Sequence, residues 1–339
     1  MGKRDIYLES KETTGYQGRL DFEDEFPVLG IPVRFRSNHP LVIQQAFTAL
    51  GHWKRLSRDL QERASPLGVD IVIQETRDQS APAGYDFNYQ ISGDDFQAHS
   101  GATTLRASRR TGAALAFATE ALLQDEPAFQ WFVIEALALF LVTASRRVPV
   151  HAAAVVLGGR SLAFAGASGA GKSSLAYAFL RRGFDLLSED ALYIGTAPEY
   201  RIWGNATKIH MLANASGLFP ELEGRKAQLR PNGKVKITVP VSEIGQCRPA
   251  LYTDAITLCL LEPKHGERDS VLERIPPDVV RKALFSSLEP GFDLSREQLP
   301  AVLDYLLRGQ NYRLSVGYDI NAIVDLVLDH LQFTRLLET

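Results

Sequence analysis

The chain has 339 residues, of which 45% are hydrophobic and 23% are charged, and this composition excludes a largely disordered or fibrous protein. Its 37 Lys and Arg residues stand against 40 Asp and Glu residues, so the net charge of −3 disfavours a general nucleic-acid binder. Its two cysteines form no CxxC pair, which excludes a disulfide framework and predicts a reducing, cytoplasmic location.

The first part of the chain predicts short strands and helices and carries no catalytic motif. Residues 29–36 are apolar and β-branched, which predicts a strand, and Pro40 begins a helix that ends at Leu50. A second strand is predicted over residues 69–74, and helical periodicity returns over residues 113–123.

The most apolar stretch of the sequence, residues 128–145, predicts one long helix that starts at residues 125–127. Glu135 lies within this stretch, and a charge at the centre of a membrane helix is costly, so we expect a buried core helix and no membrane partner. We therefore predict a smaller α+β N-terminal domain of unknown role over residues 1–145, and a second domain over residues 146–339.

A dense apolar hairpin opens the second domain. Residues 150–157 and 161–165 predict its strands, with a turn at Gly158 and Gly159. The second strand leads directly into the sequence GASGAGKS at residues 166–173, which matches the phosphate-binding pattern GxxxxGK[ST] in full. A helix is predicted to follow as far as residue 182, so its positive N-terminal end would face the loop.

This pattern predicts a nucleotide site, because glycines let several backbone N–H groups face one phosphate. Lys172 can reach the β- and γ-phosphates, and the Ser173 hydroxyl can bind Mg²⁺. The predicted cofactors are therefore ATP and Mg²⁺. The predicted nucleotide-binding residues are Gly166, Ala167, Ser168, Gly169, Ala170, Gly171, Lys172, Ser173 and Ser174.

Two adjacent carboxylates follow the next predicted strand, at Glu189 and Asp190. At a strand end beside the loop, one acid can bind the metal while the other accepts a proton from an attacking hydroxyl. We predict that Ser173 and Asp190 hold the metal, and we leave open which of the two acids is the base. The alternative interpretation is a solvated acidic turn.

Together these features resemble the HPr kinase/phosphorylase family, which shares its nucleotide core with the phosphoenolpyruvate carboxykinases. The resemblance rests on the hairpin that opens with a histidine (VHAAAVVLGG), the GxSGxGKS loop, a helix that ends in RRG and the strand that ends in two acids. It covers about residues 148–195 and extends more loosely to the C-terminus. It implies an α/β fold, with a C-terminal P-loop kinase domain of the HPr kinase/carboxykinase type.

The resemblance also implies an activity, the phosphorylation of a serine hydroxyl on a small protein by ATP and Mg²⁺. It gives Lys172, Glu189, Asp190 and His151 as catalytic residues. The family normally has Asp where Glu189 stands, and its characteristic downstream block is absent from residues 202–212. These departures favour one of the related stand-alone kinases, some of which accompany peptide biosynthesis genes, over a kinase for HPr itself.

Basic residues downstream are candidates for contact with the acceptor or the transferring phosphate. Lys234 and Lys236 alternate with apolar residues and so share one face of a predicted strand, while Lys208 and His210 follow a turn. The alternative interpretation is a hairpin with a solvated basic face.

The sequence thus predicts a kinase that transfers the γ-phosphate of ATP to a serine of a protein or peptide, such as a biosynthetic precursor peptide. Two alternatives remain open, a small-molecule kinase acting on free serine or a similar alcohol, and a non-catalytic ATP-binding regulator. The expected partner is a protein or peptide substrate, with no nucleic acid. The oligomeric state, including a homo-oligomer, is left open.

Overall fold

The computed structural model describes residues 18–75, 86–144, 146–196, 200–229, 235–263, 269–286 and 296–333. The chain divides into two compact units, Met1–Ser145 and Arg146–Thr339. Each unit mixes helices and strands and is described separately.

The first unit contains one seven-stranded mixed sheet, whose strand order is β1-β2-β3-β7-β6-β5-β4. Its strands are β1 (Phe22–Val28), β2 (Ile31–Ser37), β3 (Leu67–Gln74), β4 (Asn88–Ser92), β5 (Asp95–Ser100), β6 (Thr103–Ser108) and β7 (Ala113–Thr119). Its helices are α1 (Pro40–Leu50), α2 (Glu120–Gln124), α3 (Glu126–Phe129) and α4 (Ala136–Ala144). The predicted helix from Pro40 to Leu50 is confirmed, and the strand predicted over residues 69–74 lies within β3.

The helix predicted over residues 113–123 is wrong for most of its length. This segment forms β7, which pairs in parallel with β3 and antiparallel with β6, and only its end continues as α2. Ala114, Ala116 and Ala118 alternate onto the buried face of β7. A central position between two strands satisfies the backbone groups of β7 on both sides, and this pairing outweighs the high intrinsic helix propensity of the alanines.

The long apolar helix of the first unit is irregular. Between α3 and α4 the residues Gln130–Glu135 form a π-helical turn, so the predicted long helix is continuous but contains a π-helical segment. Among the described residues, Glu126–Thr143 is the one stretch long and apolar enough to cross a membrane, and half of it is buried inside the structure. Core helices commonly share these properties.

The second unit contains three sheets. Their strands are β8 (Arg147–His151), β9 (Ala153–Leu157), β10 (Arg160–Ala165), β11 (Asp185–Ser188), β12 (Ala191–Gly195), β13 (Ile202–Gly204), β14 (Lys208–Leu212), β15 (Ala227–Leu229), β16 (Val235–Pro240), β17 (Tyr252–Thr253), β18 (Thr257–Pro263), β19 (Val271–Arg274) and β20 (Asn311–Val316). The strand orders are β11-β9-β10-β18-β20-β19, β17-β13-β12-β8 and β14-β16-β15.

Within the described ranges, four α-helices accompany these sheets: α5 (Lys172–Leu180), α6 (Pro277–Ser286), α7 (Leu299–Leu306) and α8 (Ile320–His330). The first of them begins at the end of the glycine-rich loop. The Asp319 carboxylate caps α8 by accepting hydrogen bonds from the backbone N–H groups of Asn321 and Ala322.

The predicted strand over residues 150–157 is in fact two strands in different sheets. β8 pairs with β12, whereas β9 pairs with β10 and β11, and the chain changes sheet at Ala152. The Ala152 backbone N–H donates to the Asp190 carbonyl, and the Ser188 hydroxyl donates to the Ala152 carbonyl. These two bonds satisfy the crossing backbone and bring the end of β8 next to the turn that carries the two acids.

The six-stranded sheet carries a hydrophobic core on each face. Val155 and Phe164 belong to the core that α5 and α8 cover, while Ala154 and Ala163 belong to the core that contains α6 and α7. A side chain at Gly204 in β13 would overlap the carbonyl of Leu187, so glycine permits this close approach of two chain segments. The six-stranded sheet holds the ends of β10 and β11 in place, and the candidate site lies between these two ends.

Candidate active site

The glycine-rich loop connects the end of β10 to the start of α5. Gly166, Gly169 and Gly171 adopt φ angles of 154°, 85° and 96°, a region that favours glycine. A Cβ atom at Gly166 would lie 3.0 Å from the carbonyl oxygen of Leu261, in the neighbouring strand β18. The backbone path of the loop therefore requires glycine at these positions. The observed order of strand, loop and helix is the one that the sequence pattern predicts.

The predicted nucleotide-binding residues all lie on this loop or on the first turn of α5. Ala167, Ser168 and Gly169 are exposed, whereas Ala170 is buried and anchors the loop in the core. Lys172, Ser173 and Ser174 form the first turn of α5, where backbone N–H groups and the helix dipole favour an anion.

The Lys172 side chain is buried within the loop. Its Nζ donates to the carbonyl oxygens of Gly166, at 2.8 Å, and Ala167, at 3.1 Å. The ammonium group is therefore held at the loop by backbone carbonyls, in the region where a phosphate group would carry the opposite charge.

Glu189 lies just beyond β11 and contacts the start of α5. The Ser173 hydroxyl donates to Glu189 Oε1 at 3.1 Å, and His210 Nδ1 lies 3.1 Å from Oε2. Lys236 Nζ is 3.9 Å from Oε1. Burial by itself would raise the pKa of the Glu189 carboxyl, but His210, Lys236 and Ser173 together hold that pKa below its usual value. Glu189 is therefore an ionised, nearly enclosed carboxylate.

Asp190 occupies a different environment although it is the next residue. Its side chain is 64% exposed, against 13% for Glu189, and its Oδ1 lies 3.3 Å from His151 Nδ1. His151 is the last residue of β8, so the sheet change at Ala152 sets this pair. The structure therefore pairs Ser173 with Glu189, whereas the sequence-based assignment placed Ser173 with Asp190.

The three-stranded sheet presents a polar face beside Glu189. Lys208 and His210 alternate with Ile209 and Met211 along β14, and the latter two are buried in the core. On β16, Lys236 pairs in register with Leu212, and Thr238 pairs with His210. His210 and Lys236 thus reach Glu189 from one face, and Lys208 lies on the same face of the sheet.

Lys234, the remaining residue of the predicted basic face, lies outside the described residues. The solvated-hairpin interpretation of the basic segment does not describe Lys236, whose side chain is mostly buried and lies close to Glu189.

The oxygen ligands around Ser173 fit a magnesium ion. Mg²⁺ is usually bound through one or two carboxylates, hydroxyls and substrate phosphates rather than by a cage of acids. Ser173 Oγ and the ionised Glu189 carboxylate supply such a set at the mouth of the loop. In the described part of the chain, no group of three or more His, Cys, Asp or Glu side chains could hold a metal ion by itself.

The sequence identified the members of this site but not the contact between His210 and Glu189. The two residues are 21 positions apart, and their contact depends on how the three-stranded sheet packs. The available signal was the alternation of Lys208 and His210 with apolar residues, which marks one polar face but does not indicate what it meets.

Comparison with known proteins gives distant structural similarities. No family model matches the sequence, and no curated protein matches it. Among solved structures, the chain is similar to one described as the Hpr(Ser) kinase/phosphatase from Coxiella burnetii, with 9% sequence identity and a TM-score of 0.29. The similarity covers 56% of this chain and 97% of that chain. At this distance the roles of individual residues depend on the geometry described above.

Proposed function

We propose that this protein is an ATP- and Mg²⁺-dependent kinase that transfers the γ-phosphate to a serine hydroxyl of a protein or peptide, such as a biosynthetic precursor peptide. The observation that carries this proposal is the convergence of three elements on one point. The glycine loop supplies backbone N–H groups, the first turn of α5 supplies Lys172 and Ser173, and the turn after β11 supplies an enclosed carboxylate and an exposed one.

In the proposed mechanism, the loop amides and Lys172 bind the phosphates of ATP. Their N–H groups and positive charge would stabilise the negative charge that develops on the transferring group. Ser173 and Glu189 would hold Mg²⁺, because their oxygens are adjacent and Glu189 is ionised. The metal, when bound, would neutralise charge on the phosphates.

Asp190 is the better candidate for the proton acceptor. Glu189 is enclosed and already accepts hydrogen bonds, so a substrate hydroxyl has little access to it. Asp190 is exposed at the mouth of the site, and His151 lies close enough to orient its carboxylate. Asp190 would accept the proton of the attacking serine hydroxyl, while His151 holds the carboxylate in position.

A peptide acceptor is supported by the charge beside the site. Lys208 lies on the polar face near Glu189, and Lys226 and Arg225, which pairs with Glu243, are exposed at the start of the basic segment. Such a surface favours acidic segments through electrostatic attraction.

The two cysteines, Cys247 and Cys259, are free and buried, which supports the proposal of a reducing, cytoplasmic location.

Phosphate transfer from γ-labelled ATP tests this function. We propose measuring transfer to free serine, to serine peptides with acidic flanks and to the same peptides with alanine in place of serine. The wild type should label the serine peptides only, and Asp190→Asn should lower the rate by about 10²–10⁴-fold. Lys282→Ala, at an exposed position on α6, provides the control.

Other outcomes would change the assignment. Labelling of free serine at the rate of the best peptide would indicate a small-molecule kinase. Tight ATP binding without transfer to any of these alcohols would indicate a regulator and would contradict the kinase proposal.

A further inference from the structure

His210 is buried although it lies on the polar face of β14. Its neighbours in β14, Ile209 and Met211, are fully or almost fully buried, and His210 itself is only 5% exposed. Placing an imidazole there costs free energy unless hydrogen bonds compensate for the lost water. The buried imidazole therefore needs a hydrogen-bond partner, and Glu189 lies within hydrogen-bond distance of it.

The contact between His210 and Glu189 indicates what the histidine does. His210 Nδ1 lies 3.1 Å from Glu189 Oε2, while the other carboxylate oxygen, Oε1, accepts from Ser173 at 3.1 Å. An ionised carboxylate can only accept, so the hydrogen lies on Nδ1 and points to Glu189. The two contacts hold the carboxylate at opposite oxygens, so its plane and its distance from α5 are both fixed.

This arrangement matters because a glutamate side chain is flexible. Without a partner on Oε2, the carboxylate could rotate away from Ser173 and the two oxygens would no longer face one point. Groups that orient a metal-binding carboxylate in this way typically contribute a factor of about 10–100 to metal affinity. Lys236 Nζ, 3.9 Å from Oε1, adds charge but is too far to fix the orientation.

We propose that His210 is a positioning residue for the cation site, and that its Nδ1–H holds Glu189 so that Oε1 remains beside the Ser173 hydroxyl. This inference rests on the proposed function, since the cation is the Mg²⁺ that would accompany ATP. It assigns a role in the site to the three-stranded sheet, which lies outside the glycine loop and the acidic turn.

Two substitutions with the same functional group separate this role from simple filling of the core. The Nδ2 atom of asparagine occupies the place of His Nδ1, so His210→Asn keeps a donor toward Glu189. The amide nitrogen of His210→Gln extends to the place of Nε2 and loses that donor. His99→Gln, at an exposed position on β5, is the matched control.

The measurement is ATP affinity by calorimetry over a series of Mg²⁺ concentrations and in EDTA, with thermal unfolding of each variant. We expect His210→Gln to need about 10–100-fold more Mg²⁺ than the wild type to reach the same ATP affinity. His210→Asn and His99→Gln should remain close to the wild type, and ATP affinity in EDTA should be the same for all four proteins.

Two results would overturn the inference: a His210→Gln variant with the Mg²⁺ dependence of the wild type, or an Asn variant as impaired as the Gln variant. A wild type whose ATP affinity does not respond to Mg²⁺ would overturn it together with the assigned cofactor. The expected binding pattern in a protein that transfers no phosphate would support the role of His210 and contradict only the kinase proposal.

Discussion

Glu189 and Asp190 are neighbours in sequence, yet their side chains enter different surroundings. Glu189 turns toward Ser173, His210 and Lys236, while Asp190 turns toward solvent and His151. Sequence reasoning could identify two acids at a strand end, but it could not tell them apart. The two side chains differ in burial and in partners because the three-stranded sheet covers Glu189, whereas the end of β8 approaches Asp190.

The first prediction concerns this division of roles. Glu189→Gln should raise the Mg²⁺ concentration needed for half-maximal rate, because the amide is a weaker ligand for a hard cation. Asp190→Asn should lower kcat by about 10²–10⁴-fold with little change in the Mg²⁺ requirement, because it removes a proton acceptor. Phosphate transfer measured over a series of Mg²⁺ concentrations checks both. The reverse pattern would assign the roles the other way round.

The second prediction concerns Gly166. An alanine there would combine a φ of 154° with a Cβ atom 3.0 Å from the Leu261 carbonyl oxygen. A non-glycine residue in such a backbone conformation costs about 1–3 kcal/mol, and the contact adds to that cost. Gly159→Ala is the matched control, since Gly159 has a φ of 77° and nothing within 4 Å of its Cβ position.

Denaturant unfolding of both alanine variants provides the measurement. Gly166→Ala should lose more free energy of unfolding than Gly159→Ala. Equal losses would mean that the loop can move away from β18 without cost.

At the scale of single elements, the sequence predicts best what local interactions decide. The loop and α5 lie close to their predicted positions, because glycines and helical periodicity are local signals. The segment that forms β7 was predicted as a helix, and β8 and β9 were predicted as one strand. Both depend on pairing with strands distant in sequence, which local pattern does not reveal.

The third prediction concerns β16, which has one apolar face in the core and one polar face. Thr238 Oγ1 is buried and has no hydrogen-bond partner within the described ranges, whereas Ile237 lies in the core. Thr238→Val keeps the shape and removes an unsatisfied hydroxyl, so it should leave the free energy of unfolding unchanged or raise it by about 1 kcal/mol. Ile237→Ala should lower it by about 2–5 kcal/mol.

Urea unfolding of the two β16 variants gives these values. A marked loss of stability in Thr238→Val would show that the hydroxyl is satisfied in the folded protein.

At the scale of the whole molecule, the second unit contains its own cores and every described residue of the site. One core lies against α5 and α8 and the other contains α6 and α7, and both are formed within Arg146–Thr339. The sequence pattern changes near residue 146, where the sequence predicts a domain boundary. The three-sheet arrangement of the second unit depends on strand pairings that composition does not encode.

The fourth prediction is that the fragment Arg146–Thr339 folds without the first unit and binds ATP with an affinity within about tenfold of the full chain, because the loop and its supports are internal to it. Circular dichroism and calorimetry check the two parts of this statement. A folded fragment that does not bind ATP would mean that the first unit supplies part of the nucleotide site.

The central claim is that the loop at residues 166–173 binds the phosphates of ATP, and calorimetry with ATP and Mg²⁺ tests it most directly. The wild type and Lys282→Ala should bind one ATP per chain with equal affinity. Lys172→Ala should lose most of that affinity, since it removes the loop's ammonium group, and the loss of the hydrogen bonds to Gly166 and Ala167 should also lower its unfolding midpoint. A wild type that binds no ATP, or a Lys172→Ala variant that binds it as tightly as the wild type, would contradict the account.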